Sequence, residues 1–204
     1  MLSTAARWSR VPTLALAAIA MLLGAFSVAQ AAQPSIDDFE VGSYALGGDF
    51  ALTNQDGKTT GLRDFRGKVV VLFFGYTYCP DVCPLTLSDM GRMNKLLGAQ
   101  AKQVQSIFVT IDPERDTAPR LKSYLSNFAP GIVGLTGSDR DIAGVAKLYR
   151  AKYAKREDDG KGGYLMDHTA FVYLVDPKGK VRYLVPYDAG TDILAEGARQ
   201  MLKG

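Results

Sequence analysis

One stretch of the sequence, Val69–Pro84, constrains the fold more than any other. Its first six residues, Val69–Phe74, form a continuous apolar run, which predicts a strand buried on both faces of a sheet. Near its end lie Cys79 and Cys83, the two cysteines of the chain. Because a proline fits the first turn of a helix, where its missing N–H is not needed, Pro84 predicts a helix start. Both thiols are therefore expected where a buried strand passes into a helix.

The position of the two thiols predicts reactive or metal-binding chemistry rather than a structural disulfide. The positive end of a helix dipole lowers the pKa of a nearby thiol, and the thiolate is the form that bonds metals and attacks disulfides. A disulfide between Cys79 and Cys83 would span only three intervening residues, so it would constrain the unfolded chain little. Redox or metal chemistry is therefore the better explanation of the pair.

The N-terminus has the pattern of an export signal. Arg7 and Arg10 precede an uncharged segment, Val11–Ala29, and Ala29-Gln30-Ala31 fits a small-x-small cleavage site. The segment is also long enough to span a bilayer, so residues 1–31 are expected to be either a cleaved signal peptide or an N-terminal membrane anchor. In both cases the globular part is exported. A bacterial periplasm is the expected location, with anchoring to the inner membrane as the alternative.

The charge of the chain excludes a nucleic-acid-binding surface. The sequence has 24 Lys and Arg residues against 21 Asp and Glu residues, and without Arg7 and Arg10 the basic count is 22. The exported part is therefore nearly neutral, whereas a nucleic-acid-binding domain carries a basic patch or stripe.

The rest of the chain divides into a linker or edge segment, 32–48, and one domain, 49–204. The domain begins with a β-hairpin signal at 49–61, continues with alternating strands and helices, and ends with two strands and a helix. This alternation predicts an α/β fold with a central mixed sheet, mostly parallel, flanked by helices. A spaced cysteine pair at its first strand-to-helix turn is typical of a thioredoxin-like fold. The predicted strands are 69–74, 105–111, 132–135, 153–156 (an edge strand), 169–175 and 180–185, and the predicted helices are 85–97, 119–128, 142–149 and 194–201.

The spacing of the cysteines allows both sulfurs to bind one ion. Residues four apart lie on one face of a helix, about 6 Å apart at Cβ, so Cys79 and Cys83 can close a disulfide or point at one soft ion such as Cu(I). His168, the only histidine, precedes the last strand pair. It is expected near the cysteines if that pair packs beside the central strand. Two sulfurs and one nitrogen suit three-coordinate Cu(I), and would hold Cu(II) with a further ligand or water.

A polar loop, Asp112-Pro113-Glu114-Arg115-Asp116-Thr117, follows the strand at 105–111. Glu114 and Arg115 are expected to be solvated. Asp112 lies at the strand's carboxyl end, and we interpret it as a partner of a metal ligand. Asp112 and Asp116 together could instead bind a hard ion, order the loop or present charge to a partner.

Three motifs of this chain together resemble the Sco/SenC family: Gly75–Pro84, Asp112–Thr117 and Asp167–Gly179. The resemblance extends from about Phe50 to Leu202. It implies a thioredoxin-like fold and a copper site made by Cys79, Cys83 and His168.

The same resemblance implies a role and a partner. Members of the family deliver copper to, or prepare the thiols of, the dinuclear copper centre of cytochrome c oxidase subunit II. The implied partner is that subunit or another periplasmic protein with copper or thiol ligands. The family is usually membrane-anchored, so a cleaved leader would be a departure from it.

The residues leave three other interpretations open. The first is an enzyme, a periplasmic thiol–disulfide oxidoreductase with Cys79 and Cys83 as the redox pair. A metallochaperone, in contrast, is not an enzyme, although both activities can coexist in one chain. The second is a peroxiredoxin-like peroxidase, but that family has Thr three residues before the reactive cysteine and this chain has Tyr76 there. The third is zinc, since two cysteines and one histidine with an open position occur in catalytic zinc sites. Tyr76 and Tyr78 are expected to be walls of the site, and Asp81 to be exposed.

Overall fold

A seven-stranded mixed sheet organises the part of the chain that the structure, a computed structural model, describes: residues 34–156 and 163–203. The strands of this sheet are β1 (Ala51–Asn54), β2 (Thr59–Gly61), β3 (Val69–Gly75), β4 (Val104–Thr110), β5 (Val133–Thr136), β8 (Phe171–Val175) and β9 (Val181–Pro186). Their order across the sheet is β2-β1-β5-β4-β3-β8-β9. Two further strands, β6 (Tyr153–Arg156) and β7 (Leu165–His168), form a separate antiparallel ribbon. The helices are α1 (Val82–Leu97), α2 (Ala118–Leu125), α3 (Asp139–Leu148) and α4 (Thr191–Lys203), with short 3₁₀ segments at Ile36–Phe39, Leu62–Phe65 and Gly98–Gln103.

The fold class and the N-terminal hairpin are confirmed, but the strand directions differ from the prediction. Among the described strands of the large sheet, β3–β4 and β4–β5 pair in parallel, and the remaining neighbours pair antiparallel. The expectation of a mostly parallel sheet was therefore wrong. A hairpin is added at each end of the parallel core, and short hairpin connections reverse chain direction.

Strand β3 lies at the centre of the core. All seven of its residues are buried, as expected for a strand covered on both faces. Phe73 lies beside Phe108 of β4 on one side and Val172 of β8 on the other. Helix α1, which follows β3 in the chain, packs against α4, and its methionines Met90 and Met93 are fully buried. They are core residues rather than surface ligands.

The described part of the predicted linker packs on the domain. Ser35 caps the 3₁₀ segment that begins at Ile36. Ile36 is fully buried, and its side chain occupies the space that a Cβ at Gly197 would need. The N–H of Val41 donates to the carbonyl of Arg182, 2.8 Å away. The predicted leader, 1–31, lies outside the described residues, and the domain boundaries remain predictions.

Two elements around the expected site differ from the sequence prediction. Helix α1 begins at Val82 rather than Leu85, so Cys83 lies in its first turn. The segment 153–156 was predicted as an edge strand and forms one, β6, but its partner is β7, a strand that was not predicted. Among the described residues, no helix has the length and apolarity needed to cross a bilayer.

Candidate metal centre

The two cysteines occupy different environments at the junction of β3 and α1. Cys79 lies in the connecting loop and is half-buried, whereas Cys83, in the first turn of α1, is completely buried. Both thiols are free, and the backbone N–H of Cys83 donates to Cys79 Sγ at 3.4 Å. The local sequence favours this arrangement because the first turn of a helix tolerates a proline such as Pro84, since no N–H donor is required there.

Glycine at the end of β3 makes room for the buried thiol. A Cβ placed on Gly75 would lie 2.8 Å from Cys83 Sγ and 2.8 Å from the ring of Phe108. Real Cβ atoms do not approach neighbours so closely, so any side chain at this position would displace Cys83 or Phe108. Cys83 therefore packs directly on the backbone of the central strand.

The third residue reaches the cysteines from a distant part of the chain. His168 is the last residue of β7, and β8, which follows it, pairs antiparallel with β3. The sequence analysis expected His168 to lie near the cysteines if the last strand pair packed beside the central strand, and this pairing meets that condition. His168 Nε2 lies 3.7 Å from Cys83 Sγ, and Nδ1 lies 3.1 Å from the carbonyl oxygen of Thr169. With its proton on Nδ1, the imidazole donates to that carbonyl and turns the Nε2 lone pair to the thiols.

The three side chains have the spacing of a metal site. One atom from each of Cys79, Cys83 and His168 lies within 4.8 Å of the others. In a planar three-coordinate site with bonds of about 2.3 Å, the ligand atoms would be about 4 Å apart. The observed separations between ligand atoms, at most 4.8 Å, therefore exceed this spacing by less than the length of one metal–ligand bond. Side-chain rotation can close that gap. Two sulfurs and one imidazole form a soft donor set, which selects Cu(I) or Zn(II) over hard ions.

Aromatic rings enclose the imidazole, and one side of the site is open. The rings of Phe73 and Tyr76 each lie 6.0 Å from the His168 ring, edge-on. Cys79 and His168 line a surface pocket of about 290 Å³, and Asp81 at its edge is exposed. Tyr76 is therefore a wall, as expected.

Tyr78 does not wall the site. It is exposed, and its ring lies under the guanidinium groups of Arg115 and Arg120, at 4.5 Å and 4.7 Å. The prediction that this tyrosine lines the site was wrong, because its ring packs on the two arginines and not on the pocket.

The two thiols share one proton unequally. The pKa of Cys79 falls to about 4, chiefly because the Cys83 thiol donates a hydrogen bond to its sulfur, which outweighs the opposite effect of burial. The pKa of Cys83 rises, because its proton is held in that hydrogen bond and because the thiol is buried beside the Cys79 thiolate. Near neutral pH the pair is one half-buried thiolate and one buried thiol.

This asymmetry predicts selective alkylation. Iodoacetamide at pH 6 is expected to modify Cys79 at least about tenfold faster than Cys83, since Cys79 is the thiolate and is the more accessible of the two. Peptide mass spectrometry after timed quenching measures both rates in one sample. Because the Cys79 pKa is lowered, its rate should fall only as the pH approaches about 4. The Cys79→Ser variant should show only slow modification, and equal rates at the two cysteines would contradict the assignment.

The two aspartates of the polar loop order that loop. Asp116 is completely buried and accepts hydrogen bonds from the N–H and hydroxyl of Thr77 and from the hydroxyl of Thr110. The Asp112 carboxylate is bound by Arg115 and Tyr164. Both carboxylates are thus satisfied by protein donors, which favours loop ordering over a hard-ion site.

Arg115 corrects a further prediction. It was expected to be solvated, but only 18% of its side chain is exposed, whereas Glu114 is exposed at 64%. Sequence reasoning also missed Tyr164, which stacks on Arg115 at 3.5 Å. The two residues are almost fifty positions apart, and no local pattern signals such a contact.

Comparison with known proteins identifies the same family that the motifs resemble. The family model described as SCO1/SenC matches residues 40–203. A SCO2-like protein of Rickettsia felis is 39% identical over 136 residues, which are 66% of this chain and 66% of that protein. The structure of Bradyrhizobium japonicum ScoI with copper bound matches with a TM-score of 0.70 at 39% identity, over 78% of this chain and 99% of that one.

A further structural match concerns the thiols. BsSco is described as a member of the Sco family of cytochrome c oxidase assembly proteins with a disulfide switch. It matches with a TM-score of 0.60 at 26% identity, over 81% of this chain and 94% of that one. The chain aligns with only part of its curated relatives: the alignment spans 66% of the Rickettsia felis protein and 50% of the mitochondrial SCO1 homolog of Mus musculus.

Proposed function

Because this chain belongs to the SCO1/SenC family, we propose that it is a copper chaperone that binds copper through Cys79, Cys83 and His168. The observation that carries the proposal is the convergence of two sulfurs and one imidazole nitrogen within 4.8 Å of one another. Relatives support the choice of copper over zinc, since the matching Bradyrhizobium japonicum structure has copper bound. Cu(I) is the preferred form, because thiolates are soft ligands.

Loading would follow from the asymmetry of the pair. Cys79 and His168 line the open pocket and would meet the ion first. Cys83 lies behind them and would lose its proton as its sulfur bonds the ion, because only thiolate is a ligand. Both thiols must be reduced for this step. The redox state of the pair would therefore gate copper binding.

Release would proceed by ligand exchange with an acceptor that offers similar soft ligands. We propose the dinuclear copper centre of cytochrome c oxidase subunit II as that acceptor. The proposal is supported by a Sco relative that is described as an assembly protein of this oxidase. The exchange would occur in the periplasm, where the N-terminal segment would direct the domain and, if uncleaved, tether it to the inner membrane.

An anaerobic titration tests the proposal. The reduced chain is expected to bind one Cu(I) per molecule in competition with a chromophoric chelator, and to retain Cu(I) when Zn(II) is added in excess. The matched control is the same chain after oxidation of Cys79 and Cys83 to a disulfide, which should bind no Cu(I) at this site. If the reduced and oxidised chains compete equally with the chelator, the copper site is not made by the thiols.

A thiol–disulfide oxidoreductase is the second candidate, favoured by the free thiols and the low pKa of Cys79. The Cys79 thiolate would attack a partner disulfide and release one partner thiolate. Cys83, after losing its proton, would then attack the mixed disulfide. The partner would leave with two thiols, and this chain would hold the Cys79–Cys83 disulfide. Sustained reduction of a disulfide substrate by the copper-free chain, with dithiothreitol as reductant, would favour this function.

A further inference from the structure

The ribbon that carries His168 needs outside contacts to fix its orientation. Strands β6 and β7 pair with each other and not with the large sheet, and an isolated two-stranded hairpin is only marginally stable in water. Met166 is the one buried residue within these two strands. Contacts from the rest of the domain must therefore determine where the ribbon points.

The polar loop after β4 supplies such contacts. Arg115 Nη1 donates to the carbonyl oxygen of Tyr164 at 2.9 Å, and the Arg115 guanidinium carbon lies 3.5 Å from the centre of the Tyr164 ring. The Tyr164 hydroxyl donates to Asp112 Oδ1 at 2.6 Å, and Arg115 Nε donates to Asp112 Oδ2 at 2.5 Å. Arg115, Tyr164 and Asp112 thus form a closed set of contacts, which we name the clamp.

The clamp joins the loop to the end of the ribbon that is distant from His168. Tyr164 immediately precedes β7, while His168 ends it. The His168 end is held by the chain on either side of it, since α3 ends shortly before β6 and β8 begins shortly after β7. The N–H of Thr169 donates to the carbonyl of Lys152 at 2.9 Å, which extends the pairing of the ribbon itself. Without the clamp, the ribbon would keep Met166 in the core and the ring contacts of His168, but among the described residues it would lose its buried link to the loop at the Tyr164 end. It could then tilt about residues 152 and 169, carrying the imidazole with it.

Burial makes the clamp stronger than the ion pair between Lys155 and Glu114, which also links the loop to the ribbon. The side chains of Asp112 and Arg115 are 1% and 18% exposed. The ion pair between Lys155 and Glu114 is more than half exposed on both sides, and such pairs contribute little. Arginine suits the clamp because its planar group can stack on a ring and donate to two acceptors at once, which lysine cannot do.

We propose that Arg115 is a positioning residue for the metal centre, which fixes the β6–β7 ribbon so that His168 faces the two thiols. The proposal rests on the proposed function, since the position of the imidazole affects copper only if His168 is a ligand. A metal ligand has to be held within about 0.5 Å of its productive place. A clamp that limits tilting of β7 would serve that requirement.

A double-mutant comparison tests whether Arg115 acts through His168. The Arg115→Ala variant of the reduced full-length chain is expected to bind Cu(I) about tenfold more weakly in chelator competition, the size of effect seen for residues that orient metal ligands. In a His168→Ala background, adding Arg115→Ala should change the affinity by less than about twofold, because independent effects would add and a shared one does not. Equal losses in both backgrounds would overturn the proposal.

Hydrogen exchange tests the clamp without copper. In the copper-free full-length chain, Arg115→Ala should raise the exchange rates of the β6 and β7 amides about tenfold, while the β3 amides stay unchanged, because local opening is independent of the core. Unchanged ribbon exchange would refute the clamp even if wild-type chain binds copper. Faster ribbon exchange in a chain that does not bind copper would instead refute the proposed function and leave the clamp standing.

Two control variants separate geometry from charge. Arg120 also stacks on Tyr78 and donates to Thr77 Oγ1 at 3.0 Å, but its contacts among the described residues do not include the ribbon. Arg120→Ala should therefore leave ribbon exchange unchanged. Arg115→Lys keeps the charge but loses the double contact with Tyr164, and we expect it to behave like Arg115→Ala. Full rescue by lysine would show that the charge alone acts, which contradicts positioning.

Discussion

Replacing Cys83 with alanine is expected to lower the affinity of the reduced chain for Cu(I) by more than about a hundredfold, because loss of a ligand exceeds the loss of a contact that merely orients one. Cys83 is the buried member of the pair, and its sulfur lies 3.7 Å from His168 Nε2. The variant leaves Cys79 and His168 as two ligands on the open side of the site, without the buried third ligand. Chelator competition under anaerobic conditions measures the change.

The control for this prediction must reproduce the packing defect without touching the site. Thr86 is suitable: it lies one turn further along α1, is 1% exposed, and its hydroxyl bonds the carbonyl of Val82. Thr86→Ala and Cys83→Ala should each lower the free energy of unfolding by about 1–2 kcal/mol, but only the second should lose copper. If Cys83→Ala kept Cu(I) affinity within tenfold of the wild-type chain, the three-ligand site would be wrong.

The sequence predicted the fold where packing follows local patterns. The apolar run at 69–74 became the buried centre of the sheet, and the helix predicted at 142–149 corresponds to α3. These features depend on neighbouring residues, so composition and spacing reveal them. The direction of the outer strands was predicted less well, because a hairpin signal in the sequence does not show which edge of the sheet the hairpin joins.

The candidate site was predicted in its residues but not in its support. Cys79 and Cys83 share a motif, and His168 is the only histidine, so chemistry alone selects them. The ribbon and its clamp have no such signal. Its strands are four residues long with mostly exposed side chains, and the contact between Arg115 and Tyr164 joins distant segments. Only the folded chain shows that a loop after β4 holds the strand that ends in the histidine.

The second large effect is expected at Asp116, whose carboxylate is completely buried. It accepts hydrogen bonds from the Thr77 N–H at 2.9 Å, the Thr77 hydroxyl at 2.6 Å and the Thr110 hydroxyl at 2.7 Å. Asp116→Ala leaves these three donors without that acceptor, and an unpaired buried donor costs about 1–3 kcal/mol. Part of the loss is offset, since the carboxylate itself no longer has to be desolvated. We expect the free energy of unfolding to fall by about 3 kcal/mol, measured by urea denaturation.

The pH dependence of that difference gives the prediction a second readout. Burial raises the pKa of Asp116 above its ordinary value. The stabilisation it provides is therefore fully present below the unfolded-state pKa and declines as the pH rises through the folded-state pKa. The gap in stability between the wild-type chain and Asp116→Ala should narrow with rising pH. Asp116→Asn keeps one acceptor oxygen and does not titrate, so its loss should be smaller and its own stability should lack this pH-dependent contribution. A gap that stays constant with pH would contradict the raised pKa of Asp116. An Asp116→Ala variant within about 0.5 kcal/mol of the wild-type chain would show that the buried carboxylate does not hold the turn before Cys79.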